Sequence, residues 1–155
     1  MNEQYANIPE DGLEITHTIY DQLGDTYTIE GHLSPSSLIS YVCSPKGCVG
    51  RINWDTSQAD VMTIGDLIIF EPHDRKPLWA RLFPVFYKQP MGYKGRGLGS
   101  AMLRYIIASA RVMGVAEIRG WITSDDLQIT PYLLTFYRKH GFTVNDDLTF
   151  YQVLG

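Results

Sequence analysis

Tyr93-Lys94-Gly95-Arg96-Gly97-Leu98-Gly99-Ser100 lies where the hydrophobic pattern of the chain changes its period from two residues to 3.6. Directly after it, Leu98, Met102, Tyr105, Ile106, Ser109, Val112 and Met113 recur on one helical face, while Arg104 and Arg111 fall off it. The pattern predicts an amphipathic helix, ended by Gly114 as the residue suited to a left-handed cap. A helix N-terminus carries unpaired backbone N–H groups and about half a positive charge, and glycines there let an anion approach the backbone closely. The implied ligand is a phosphate or pyrophosphate. A Walker A loop needs Gly-Lys followed by Ser or Thr after four spacer residues, an order this loop lacks. Neither Gly95 nor Gly97 starts a full Gly-x-Gly-x-x-Gly, so the dinucleotide fingerprint fails as well. Taken alone, the same residues also describe a flexible turn that caps a helix and holds nothing.

Upstream the period is two. Ile15, His17 and Ile19 alternate with Thr16, Thr18 and Tyr20; Gln22-Leu23-Gly24-Asp25 supplies a turn; residues 26–29 resume a strand. A second strand pair is predicted at 38–43 and 48–54 across Pro45-Lys46-Gly47, although Ser36-Ser37-Leu38-Ile39 is also compatible with the opening of a short helix. Residues 61–70 form the strongest strand, and its apolar end Leu67-Ile68-Ile69-Phe70 reads as buried and central; Pro72 stops it. The connection at 71–90 holds Pro72, Pro77, Pro84 and Pro90 with Trp79, Phe83, Phe86 and Tyr87. It reads equally as a lid or acceptor wall and as a long loop packed over the sheet. Residues 1–12, polar and containing Pro9, read as a flexible leader.

Downstream, Ile118 and Ile122 alternate with Glu117, Arg119 and Thr123 in a strand at 116–123. Thr130-Pro131 reads as an N-cap and first helical residue opening a second helix through Leu133, Leu134, Phe136 and Tyr137 to His140, with Gly141 closing it. Residues 142–144 and 149–154 flank Asn145-Asp146-Asp147 as a closing hairpin.

With 155 residues, 45% of them hydrophobic and 19% charged, the composition suits one ordered domain, expected over 13–155, rather than a disordered chain. A net charge of −4 without a lysine or arginine run gives a nucleic-acid backbone nothing to bind. No apolar run approaches membrane-spanning length and the first residues lack a signal-peptide pattern, so a cytoplasmic protein without membrane contact is expected. Cys43 and Cys48 flank the turn-like Ser44-Pro45-Lys46-Gly47 and read as reduced packing residues facing each other across a hairpin, with a disulfide or redox role as the alternative. Two cysteines cannot complete a zinc site, and His17, His32, His73 and His140 show no ligand spacing, so no metal is expected.

Lys94-x-x-Gly97-x-Gly99, opening a helix, resembles the pyrophosphate-binding signature of the GNAT N-acetyltransferases, written Gln/Arg-x-x-Gly-x-Gly/Ala, with lysine in the first place. Leu134-Thr135-Phe136-Tyr137-Arg138-Lys139-His140-Gly141-Phe142 resembles the same family's second signature, a helix ending in Phe-Tyr-x-Lys-x-Gly-Phe. Two signatures in order, with a predicted strand between them, are far more specific than either one. The resemblance covers residues 61–154 and implies an α/β (α+β) fold: a mixed, mostly antiparallel sheet flanked by helices, here with a strand-rich N-terminal half. A splay between two central strands would admit the pantetheine arm.

The same resemblance implies acetyl-coenzyme A as cosubstrate and direct attack on its thioester by the primary amine of a small molecule, peptide or protein. Lys94, Gly95, Arg96, Gly97, Leu98, Gly99 and Ser100 would form the cofactor loop, with backbone amides on the pyrophosphate and Lys94 or Arg96 adding charge. Ile68, Ile69 and Phe70 would pair through their backbone with the pantetheine amides. Tyr137 occupies the place of the acid that protonates the departing thiolate; as a residue it also reads as a packed core aromatic. Asp66 and Glu71 bracket the end of the central strand as candidate bases, each equally readable as a solvated surface acid. Asp125-Asp126 reads either as a site for a cationic acceptor or as a loop or cap. Pro131-Tyr132 stands where many relatives carry a cofactor-contacting asparagine. Two other readings stay open: a coenzyme A-binding sensor or assembly module without transferase activity, and a small interaction domain whose glycine turn binds nothing. Exposed strand edges also allow a homodimer.

Overall fold

The computed structural model describes residues 13–33, 38–58, 60–70 and 92–155. The expected leader, the connection at 71–90 and Glu71 lie outside the described residues. Residues patterned with period two form a meander of β1 (Leu13–Tyr20), β2 (Thr26–Leu33), β3 (Leu38–Ser44), β4 (Gly47–Gln58) and β5 (Val61–Ile69), each antiparallel to the next. Leu38 and Ile39 thus belong to a strand, not to a short helix. The glycine turn leads into α1 (Leu98–Val112), followed by β6 (Glu117–Trp121), α2 (Ser124–Ile129), α3 (Leu133–Lys139), β7 (Thr143–Val144) and β8 (Thr149–Val153). One eight-stranded sheet results, in the order β1-β2-β3-β4-β5-β6-β8-β7. Among the described residues β5–β6 is the one parallel pair, as the helical crossover through α1 allows.

The register assigns faces. Ile19, Tyr27, Ile29, Val42, Ile52, Trp54, Ile64 and Phe150 share one face and are buried. Both α1 and α3 pack on this face: a Cβ on Gly50 would touch Met102 of α1 at 3.5 Å, and Tyr137 of α3 stacks on Phe150. On the opposite face Ile39, Tyr41, Ile68, Trp121, Tyr151 and Val153 are exposed, and among the described residues no helix covers them.

An irregularity in β5 decides what the site looks like. Ile52 pairs with Leu67 but Trp54 pairs with Ile64, so Gly65 and Asp66 together oppose the single residue Asn53. This bulge keeps Leu67 and Ile69 on the helix-bearing face together with Met62 and Ile64. A bulge also bends its strand. Pairing with β6 runs over residues 61–64 and stops where the bulge begins. The apolar end of β5 is consequently not the closed central strand its composition suggests: Leu67 and Ile69 are half-buried and Ile68 is 39% exposed.

α1 buries Leu98, Ala101, Met102, Leu103, Ile106, Ile107 and Ala110. Burying a leucine, isoleucine or methionine side chain contributes about 1.5–3 kcal/mol, which makes this stripe the main tie between helix and sheet. The expected face is rotated in one respect: Val112 is exposed, and Leu103 and Ile107 take the buried positions. The C-terminus closes as a Schellman motif, with Gly114 at φ 72°, its N–H donating to Arg111 (3.1 Å) and the Val115 N–H donating to Ala110 (2.9 Å).

Two boundaries differ from expectation. Thr123 ends no strand; it caps the unforeseen α2, accepting from the Asp126 N–H at 3.1 Å while the Asp126 carboxylate accepts from the Thr123 N–H at 2.8 Å. Thr130 is the C-cap of α2, so Thr130-Pro131 separates two helices, and α3 starts at Leu133 with Tyr132 as N-cap. The residue before a proline is disfavoured in helical geometry, which fixes the break.

Gly120 lies where β6 is clasped between β5 and β8. A Cβ there would overlap the Phe150 ring and stand 2.9 Å from the Ile64 carbonyl oxygen. Gly120→Ala should lower unfolding free energy by about 3 kcal/mol, the upper range for overpacking. Gly65→Ala, whose Cβ would meet nothing closer than 3.8 Å, should change it by less than about 1 kcal/mol. Denaturant unfolding of the pair checks this; equal effects would contradict the packing described.

Candidate functional site

A cavity of about 430 Å³ opens where the N-terminus of α1, the part of β5 beyond its pairing with β6 and the α2–α3 segment meet. Its floor is Leu67, Ile68 and Ile69; one wall is Lys94, Gly95, Gly97, Leu98, Gly99 and Ser100; the other includes Ile129, Tyr132, Leu133 and Phe136. Larger grooves of about 570 and 520 Å³ lie on the helix-free face and between β1 and α1, but neither is lined by a helix N-terminus. The glycines build the rim. Gly95 and Gly97 adopt φ 76° and 82°, backbone that side chains with a Cβ avoid, and Gly97 is the N-cap of α1 without any side-chain cap. Gly99 keeps the wall low, since a Cβ there would already touch Leu67 and Phe136 at 3.6 and 3.7 Å. The first N–H groups of α1 therefore face a cavity in which, among the described residues, no capping side chain has claimed them.

The structure gathers eight of the expected cofactor residues on this cavity: Ile68, Ile69, Lys94, Gly95, Gly97, Leu98, Gly99 and Ser100. Two depart from expectation. The Phe70 N–H donates to the Val49 carbonyl at 2.8 Å and has no donor left for a ligand. Arg96 keeps its place in the turn, but its guanidinium is directed away from the cavity into ion pairs with Asp21 and Asp25. Burial alone would raise the Asp21 carboxyl; the N–H groups of Asp25 and Leu23, the Tyr27 hydroxyl and the Arg96 charge outweigh it and hold the carboxyl below the usual carboxylate range. Burial and the bond to Asp21 push the Tyr27 phenol up to about 12.

The candidate proton-transfer residues are placed differently. Tyr137 is buried in an aromatic cluster, its ring 3.9 Å from that of Phe150 and edge-on to Phe142 at 5.7 Å, and is not part of the cavity wall; its neighbour Phe136 is. Burial, then the charge of Asp126, push its phenol well above the usual tyrosine range, so the hydroxyl keeps its proton at neutral pH. Asp66 sits in the bulge on the helix-free side, paired with Arg51 at 3.2 Å and accepting from Asn53 Nδ2 at 3.2 Å. Asp126 serves the capping box and also lines the cavity.

Sequence reasoning missed Gln22, Tyr93, Ile129, Thr130, Leu133 and Phe136 as wall residues. The spacing Thr123-x-x-Asp126 was the available signal for α2 and hence for Ile129 and Thr130; nothing local marks Gln22. Cys43 and Cys48 face each other across the β3–β4 hairpin as free thiols with Sγ atoms 2.9 Å apart, and burial and the contact with Cys48 push the Cys43 thiol up to about 12. Among the described residues no group of three or more His, Cys, Asp or Glu side chains is arranged to hold a metal ion, and no helix is long and apolar enough to cross a membrane.

No protein-family model and no curated protein sequence matches the chain. Solved structures do. The PaiA N-acetyltransferase of Thermoplasma acidophilum, in complex with coenzyme A, superposes with TM-score 0.54 at 17% identity over 77% of this chain and 62% of that one. An IAA acetyltransferase of Bacillus cereus gives 0.51 at 16% identity over 72% and 58%. The GNAT domain of S. lividans PAT gives 0.62 at 12% identity over 90% and 97%. The chain thus spans 62% and 58% of the first two proteins' length and nearly the whole of the third domain. It has the GNAT acyl-CoA N-acyltransferase fold.

Proposed function

We propose that the chain is an acyl-CoA-dependent N-acyltransferase that moves an acetyl group from acetyl-coenzyme A to a primary amine by direct attack. The observation that carries this reading is the cavity itself, in which the uncapped amides of α1 lie beside a β5 segment, residues 65–69, that β6 does not pair. A pyrophosphate fits the first feature and an amide-bearing arm the second. Gly97, Leu98, Gly99 and Ser100 offer N–H groups and the positive end of the helix to the pyrophosphate. Ile69 offers backbone groups to the arm as a further strand would, Ile68, whose backbone is turned toward Arg51 of β4, lines the floor beside it, and Leu67 and Phe136 exclude water around it.

In the transfer step the amine nitrogen bonds to the thioester carbon, the carbon–sulfur bond breaks, and the thiolate leaves with the electron pair. Tyr137, held protonated by its burial, is the proton donor in this reading. Asp66 lies across the strand from the cavity and is engaged by Arg51 and Asn53, so it takes the amine proton only through water; Glu71 is the other candidate base. The acceptor is the amine of a small molecule, peptide or protein.

The position of Tyr137 inside the aromatic cluster favours a second reading, a coenzyme A-binding module without transfer. Calorimetric titration with coenzyme A and acetyl-coenzyme A, joined to a thiol-release assay over a panel of amines, separates the two. Binding with amine-dependent thiol release is the expected result. Binding without release for any amine supports the module; no binding at millimolar ligand overturns both.

A further inference from the structure

The loop that would hold the pyrophosphate contains a cation it does not present. Arg96 lies between two left-handed glycines, the arrangement with the greatest backbone freedom in the turn, yet its side chain is only 13% exposed. Its Nη2 is 2.5 Å from Asp21 Oδ2, it also donates to Asp25 Oδ2, and its guanidinium lies 5.9 Å from the centre of the Tyr27 ring. Asp21 is fully buried and fully used: Oδ1 accepts the Leu23 and Asp25 N–H groups, both at 2.9 Å, and Oδ2 accepts the Tyr27 hydroxyl at 3.2 Å besides Arg96. The contact is not confined to side chains. The Gln22 N–H donates to the Arg96 carbonyl at 2.9 Å, and the Gln22 side chain packs so closely on Gly97 that a Cβ there would stand 2.9 Å from Gln22 Cγ. The β1–β2 turn therefore grips the loop at the Arg96 side chain, at the Arg96 carbonyl and at Gly97, and it reaches the cavity through Gln22.

We propose that the β1–β2 turn is a structural part of the anion site, with Asp21 as the positioning residue that, through Arg96, holds the glycine loop in its ligand-receiving form. The inference rests on the coenzyme A reading above. Two carboxylates neutralise the one guanidinium, so the attraction for pyrophosphate comes from the α1 amides and Arg96 acts as a strut. Strut and ligand-contacting cation differ in the sign of one experiment. Removing the Asp21 charge frees a contacting arginine to bind pyrophosphate more tightly, but it loosens a loop whose arginine is a strut.

The test measures coenzyme A affinity by calorimetry for the wild type, Asp21→Asn and Tyr27→Phe, with pantetheine, which has the same arm and no phosphate, as second ligand. Asp21→Asn should weaken coenzyme A binding roughly 10-fold, about 1.4 kcal/mol, and leave pantetheine binding unchanged. Tyr27→Phe, which removes one hydroxyl from a buried site, should act in the same direction by about 3-fold and carries the test if Asp21→Asn does not fold. Unchanged or tighter coenzyme A binding in a folded variant overturns the proposal, as does an equal loss for both ligands, which marks general destabilisation. A wild type that binds no coenzyme A overturns the underlying reading instead.

Discussion

Gly97→Asp and Gly99→Asp should each weaken coenzyme A binding by about 10³-fold or more while the protein stays folded. A unit negative charge about 4 Å from the pyrophosphate costs about 4 kcal/mol at the effective dielectric of a protein surface, and tenfold in affinity corresponds to about 1.4 kcal/mol. The two sites differ in everything except that charge. Gly97 is left-handed, so any side chain there also bears about 1–2 kcal/mol of backbone strain and pushes on Gln22. Gly99 is helical, and its Cβ would make only ordinary contacts with Leu67 and Phe136. Gly97→Ala supplies the strain without the charge and Gly99→Asp the charge without the strain. If calorimetry finds that Gly99→Asp binds coenzyme A as the wild type does, the pyrophosphate does not sit at the start of α1.

Tyr137→Phe is expected to lower turnover roughly 10²-fold or more with little change in coenzyme A affinity, the scale of lost acid catalysis. The substitution suits the site, since the stack on Phe150 and the edge contact with Phe142 involve only the ring, which phenylalanine retains. A buried hydroxyl accounts for about 0.5–1.5 kcal/mol of stability in such exchanges, so a drop in thermal stability cannot mimic the rate effect. The measurement is single-turnover acetyl transfer with an identified amine, which isolates chemistry from product release. An unaltered single-turnover rate would remove Tyr137 from the mechanism and leave it a core aromatic.

Much of the scaffold is legible in the residues because its signals are local. Alternation in Ile15, His17 and Ile19, the 3.6-residue recurrence through Leu98, Met102 and Ile106, and the glycines at 95, 97 and 99 each act within one element, and each element forms where its pattern stands. Signals that failed are of two kinds. At Ser124-Asp125-Asp126 the polar cluster reads as a loop or cap; the cap half holds, through the reciprocal bonds between Thr123 and Asp126, and what no hydrophobic period announces is the short helix it opens. At Arg96 the local reading is a cation offered to an anion, but its guanidinium is captured by Asp21 and Asp25, distant in sequence and in a turn with no motif of its own. The half-exposed Ile68 belongs to the same kind: hydrophobicity indicates what a residue prefers to touch, and here its side chain is on the sheet face that no described helix covers.

The irregular step at Gly65 and Asp66 has a meaning beyond geometry. Because it arises from two residues set against one, the slot beside β5 is written in the spacing of the chain and not in its alphabet. Exchanging one side chain for another leaves that spacing untouched, so the opening is robust to substitution drift. Loss of either residue would bring the count level and remove the step, a change that no single exchange of side chains makes.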